Sequence, residues 1–122
     1  ATPGKANSQA ISAGPSMAQL AIDPKVLLPG NSGSGRDFTV ISYQLDQPGQ
    51  FANVTIYDQN GRIVKNIAEG ALLSTTGFFR WDGTTNEGGL ARLGYHVVIF
   101  EMFDQIGNTE VMRETLVVGR DF

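Results

Sequence analysis

Trp81-Asp82-Gly83-Thr84-Thr85-Asn86-Glu87-Gly88 and, a few residues on, Leu93-Gly94-Tyr95-His96-Val97-Val98 decide how this chain folds. Each joins a glycine-punctuated turn to an aromatic, β-branched strand, and neither carries a spacing that chemistry requires. Trp81 ends a strand. Its indole is the largest apolar surface a side chain offers, so it is expected between two sheets with its N–H on one partner. Asp82 and Gly83 then break the strand, the carboxylate accepting backbone N–H bonds in an Asx-type turn. Tyr95 opens the next strand where sandwiches place a corner tyrosine whose hydroxyl ties down the preceding loop.

Outward from these phrases the chain reads as short strands separated by turns. Met17 to Ile22 is a modest first strand that stops at Asp23-Pro24. Phe38 to Leu45 alternates, with Thr39, Ile41, Tyr43 and Leu45 on the core face. Val54 and Ile56 repeat the theme in Phe51 to Asp58, and Asp58-Gln59-Asn60-Gly61 turns the chain into Arg62 to Ile67. Gly77 to Trp81 follows, then Tyr95 to Asp104, which Gln105-Ile106-Gly107-Asn108 folds back into Thr109 to Val118. About seven short strands with frequent turns predict an all-β fold, an antiparallel β-sandwich.

Composition agrees. A chain of 122 residues is one domain's length, and without cysteine it has neither disulfides nor thiolate metal ligands. Twelve acidic against nine basic residues give a net charge of −3, the wrong sign for a nucleic-acid partner. No stretch approaches a membrane-spanning helix. Residues 1–15 are small, polar and turn-rich, as a linker or the tail of a preceding domain would be, which leaves 16–122 for the sandwich.

The order Thr39-x-Ile41-x-Tyr43-x-Leu45, Val54-x-Ile56-Tyr57-Asp58-x-x-Gly61-Arg62-x-Val64, Trp81-Asp82-Gly83 and Gly94-Tyr95-x-Val97 resembles the FlgD-like (flagellar hook-capping type) immunoglobulin-like domain. Similar domains stand at the C-termini of secreted and cell-surface bacterial proteins. The resemblance implies an immunoglobulin-like or fibronectin III-like sandwich. It also implies a non-catalytic structural or interaction module near the C-terminus of an exported surface protein, located extracellularly or at the cell surface and acting as spacer or docking domain. Its partners would be neighbouring domains of the same protein or a second copy. Residues 1–9, with Thr2-Pro3-Gly4-Lys5-Ala6-Asn7, resemble the end of a lamin-tail domain.

Relatives carry an oxygen-rich loop where this chain has Leu28 to Asp37. Here only Asn31 and Asp37 remain as side-chain ligands and Arg36 opposes a cation, so no bound metal is expected. No cofactor motif and no enzyme are expected either. His96 is the single histidine, and Asp37, Asp58, Asp82 and Glu87 read as solvated turn carboxylates. The alternative function is a carbohydrate-binding module of a secreted enzyme, with Tyr57 and Phe78 as its exposed aromatic candidates.

Tyr95 to Asp104 is apolar on both faces, which a sandwich strand does not need. The family phasing puts Tyr95, Val97 and Ile99 inside. Val98, Phe100 and Met102 are then expected to line a docking patch, or to be covered by the chain's own N-terminal strand or the loop after Asp23.

Overall fold

The computed structural model describes residues 17–29 and 37–119, so the segment 1–15, Asn31 and the rest of the loop 30–36 lie outside the described residues. Eight strands follow in order: β1 (Met17–Asp23), β2 (Val26–Leu27), β3 (Thr39–Leu45), β4 (Phe51–Asp58), β5 (Ile63–Leu72), β6 (Thr76–Trp81), β7 (Gly94–Phe103) and β8 (Thr109–Val118). They form a three-stranded sheet, β1-β3-β6, and a five-stranded sheet, β2-β8-β7-β4-β5. This is the expected all-β immunoglobulin-like sandwich. It differs by one element: β2 runs parallel to β8, with Val26 opposite Val117 and Leu27 opposite Val118. The N–H groups of Val117 and Gly119 donate to the carbonyls of Lys25 and Leu27, at 2.8 Å each. Two residues show no periodicity in a sequence, which is why this strand is not legible there.

Two hairpins use the same device. In Asp58-Gln59-Asn60-Gly61 and Asp104-Gln105-Ile106-Gly107 the aspartate Oδ1 accepts the backbone N–H groups two and four residues on: 2.8 and 3.0 Å from Asn60 and Arg62, and 3.0 and 3.0 Å from Ile106 and Asn108. Gly61 and Gly107 sit at φ +81° and +96°, where a side chain would be strained. The repeat β4-turn-β5 and β7-turn-β8 thus comes from two four-residue phrases of one pattern.

The core is the space between the sheets. From the three-stranded sheet come Leu20, Ile22, Ile41, Tyr43, Leu45 and Trp81; from the five-stranded sheet come Val54, Ile56, Val98, Phe100, Met102, Leu116 and Val118. Phe100 lies 5.8 Å from the Tyr43 ring and 6.3 Å from Phe79 on the opposite sheet, centroid to centroid. The free edge of β5 is sealed locally. Asn86 donates its backbone N–H to the Val64 carbonyl at 2.9 Å, and its side chain accepts from Asn66 N–H at 3.0 Å, standing in for a neighbouring strand.

The two faces of β7 are the reverse of the sequence expectation. Val98, Phe100 and Met102 are 0% exposed, while Tyr95 is 52% exposed and Val97 and Ile99 are partly open. Val98, Phe100 and Met102 are covered from within the chain, by the whole three-stranded sheet, in which the N-terminal strand β1 contributes Leu20 and Ile22. Register supplies the reason: Val98 is opposite Ile56 and Phe100 is opposite Val54. Directly opposed residues point to one side of a sheet, so the buried alternation of β4 sets that of β7.

Candidate functional site

The outer face of the five-stranded sheet is built from the odd-numbered residues of β4, β7 and β8. In rows across the strands it presents Tyr57-Val97-Thr115, Thr55-Ile99-Arg113 and Asn53-Glu101-Val111, with Tyr95 opposite Val117 at one end and Phe51 opposite Phe103 at the other. The Phe51 and Phe103 rings stack at 5.7 Å. β-Branched and aromatic residues make good strands on either side of a sheet, so propensity alone builds this face; its position on the outside is what leaves it open.

At the Tyr95 end the face dips into an open groove of about 570 Å³ lined by Tyr57, Tyr95, Val97 and Ile99, with Asp58 and Arg113 among the polar groups at its rim. The hairpin after β4 forms one wall. The Gln59 side chain lies over Gly94, whose missing Cβ would fall 3.6 Å from its amide nitrogen. The backbone N–H of Arg62, then that of Asn60, hold the Asp58 carboxyl below its ordinary 3.8, so it is ionised at the groove's edge at neutral pH.

The structural residues named from the sequence fall elsewhere. Trp81 is 1% exposed, with its indole N–H donating to the Thr84 carbonyl at 2.9 Å. Asp82 Oδ1 accepts from the Thr84 hydroxyl at 2.6 Å and the Thr84 N–H at 3.1 Å. The hydroxyl contact is the larger of the causes that lower the Asp82 pKa. Gly83 takes φ +85°, and a Cβ there would meet the Pro29 ring at 2.5 Å, so this glycine serves both the turn and a close approach. Tyr95 is not a corner tyrosine: its ring lines the open groove, and its hydroxyl makes no hydrogen bond within the described residues.

His96 is the buried histidine of the core, 1% exposed and tilted against Trp81 with centroids 5.7 Å apart. A carbonyl only accepts, so the 3.1 Å contact with Gly94 O puts the ring proton on Nδ1. Nε2 is left without a partner. Burial lowers its pKa below 6.5, opposed by the Gly94 hydrogen bond and the Asp58 charge. A neutral, inward-facing imidazole with no nucleophile beside it is a core group. Among the described residues no group of three or more His, Asp or Glu side chains is arranged to hold a metal ion.

The aromatic pair expected for a glycan platform is divided. Tyr57 is on the outer face of the five-stranded sheet, whereas Phe78, 62% exposed, projects from β6 on the outer face of the other sheet. What the sequence reading missed is Tyr95 as the companion of Tyr57. The signal was present in the two-faced apolar pattern of β7, but with the phase inverted.

A two-sheet antiparallel sandwich with one short parallel strand at its margin, a buried tryptophan and an exposed apolar sheet face defines an immunoglobulin-like module. The FlgD Ig-like domain family matches residues 30–99, and the chain belongs to it. This is a non-enzymatic type of module. Among solved structures the chain is similar to CopC from Methylosinus trichosporium OB3b, at 15% identity and a TM-score of 0.49, over 84% of this chain and 94% of that one. No curated protein matches the chain.

Proposed function

We propose that this domain is an interaction module of an exported bacterial surface protein, acting as a docking domain near its C-terminus. The observation that carries the reading is the outer face of the five-stranded sheet, where Tyr95, Val111 and Val117 stand exposed beside Tyr57, Val97 and Ile99. A monomer gains nothing from a contiguous apolar face in water, and such faces mark contacts with other proteins. The family supports a role in contact and spacing without chemistry. The carbohydrate alternative has thinner support, because Tyr57 and Phe78 do not share a face.

Tyrosine-directed chemical labelling tests the docking role. In the isolated chain at high dilution Tyr57 and Tyr95 are expected to react, while buried Tyr43 does not. In the longer protein at working concentration Tyr57 and Tyr95 should be protected. Equal labelling in both settings would sink the docking role and leave only a spacer.

A further inference from the structure

We propose that the edge of β8 over residues 109–115 is a strand-addition site, and that its partner is an extended segment of another polypeptide with a basic side chain opposite Glu110 and an apolar one opposite Met112. The site does not depend on the outer face of the sheet. It begins with the backbone. β2 covers this edge of the five-stranded sheet only at Val117 and Val118, where the N–H groups of Val117 and Gly119 donate to Lys25 and Leu27. β8 pairs with β7 without a break in register, so successive N–H groups point to alternate sides of the strand. Those of Val111, Arg113 and Thr115 therefore point the same way as that of Val117, and with their carbonyls they meet no strand among the described residues. β1, which precedes β2, does not fill this place, because it is paired with β3 in the other sheet. An unpaired edge of this kind is a template for another strand.

The side chains along the edge choose the strand. Met112 packs against the core, and Glu110 and Glu114, two residues to either side of it, point to the same inner side of the sheet. They lie beside core residues, Glu110 opposite Met102 and Glu114 opposite Val98, both fully buried. Glu114 has the Lys25 Nζ at 3.9 Å, whereas Glu110 has no ion pair among the described residues. Burial alone lifts the Glu110 pKa above the ordinary 4.5, so this carboxylate is already short of water and lacks a cation.

Inward charges on an edge keep most strands away. A neutral strand laid along β8 would take the Glu110 carboxylate further from water with no opposite charge, and an acidic one would add repulsion; a basic side chain supplies the missing partner. The same residues turn away a second copy of this chain. The antiparallel register that pairs two copies along the whole of 109–115 sets Glu110 opposite Glu114 twice, and registers shifted either way pair fewer residues.

Amide hydrogen exchange read by NMR is the test, with the end-capped peptide Thr-Lys-Thr-Val-Thr-Lys-Thr as probe. Its sequence is the same in both directions, so it sets Lys opposite Glu110 and Val opposite Met112 whether it adds parallel or antiparallel. In the free chain the amides of Val111, Arg113 and Thr115 should be less protected than those of Met112 and Glu114, which face β7. The peptide should bind with a Kd below about 1 mM and, at about ten times Kd, slow exchange at those three amides about tenfold. Glu110→Gln, shown by circular dichroism to be folded, should weaken binding about fivefold. A peptide with Glu in place of both Lys should bind at least about tenfold more weakly. Strong protection of Val111, Arg113 and Thr115 in the free chain overturns the proposal, since the edge is then already covered. So do binding that leaves these amides unchanged, equal binding of the Lys and Glu peptides, and no binding of the Lys peptide at about 5 mM.

Discussion

Phe100→Ala is expected to lower the free energy of unfolding by about 3–5 kcal/mol in urea titration, and Ile99→Ala, one residue away on the same strand, by less than about 1 kcal/mol at high dilution. The two side chains are both large and apolar, so composition gives no reason for the difference. Position does. Phe100 is fully buried and touches Tyr43 and Phe79 across the sandwich, so truncation loses the transfer free energy of a ring and opens a cavity that its two aromatic neighbours fill poorly. Ile99 faces outward between Thr55 and Arg113, and its removal leaves a dent in an open surface. Equal costs at the two positions, or a larger cost at Ile99, would show that the faces of β7 are assigned the wrong way round.

Trp81→Ala has a comparable expected cost, about 3–5 kcal/mol, and a second consequence through His96. The indole closes the end of the core, tethered to Thr84 O, and covers the His96 ring. In the native chain burial holds the His96 pKa below its unfolded value of 6.5. Between the two values the unfolded state binds the proton and the folded state does not. Stability therefore falls as pH drops from 6.5 through the folded pKa and is independent of this group above 6.5. Without Trp81 water reaches the imidazole, its pKa rises toward 6.5, and this acid-sensitive component shrinks. Because His96 is the sole histidine, its ring protons report the pKa directly in an NMR titration. A variant whose His96 titrates as in the native chain would mean that Trp81 does not provide the shield.

Much of this fold was legible from residues alone. β3 and β4 alternate cleanly, and the phrases at Asp58 and Asp104 carry their own turn chemistry, so strand and turn follow from local sequence. Trp81-Asp82-Gly83 likewise carries a strand end, a core indole and a turn whose glycine also accommodates Pro29. Two things needed tertiary structure. β2 is two residues long and exists because Lys25 and Leu27 carbonyls find the β8 backbone. The phase of β7 is hard to read from its own pattern, because Tyr95 to Phe103 is apolar on both sides but for one polar residue on each, His96 and Glu101. It becomes fixed only when Val98 and Phe100 pair with Ile56 and Val54, residues whose burial is evident from β4. The same ambiguity hid the candidate site, since the face of β7 that sequence reading places in the core is its open face.

The central claim is that the odd-numbered face of β7 is open for contact and the even-numbered face is core. Single-cysteine scanning tests it most directly, because the native chain has no cysteine to compete. With one substitution at a time, Val97→Cys and Ile99→Cys should react rapidly with a maleimide in the dilute folded protein. Val98→Cys should react only on unfolding. Fast labelling at Val98 with slow labelling at Val97 and Ile99 in the dilute folded chain would contradict the account.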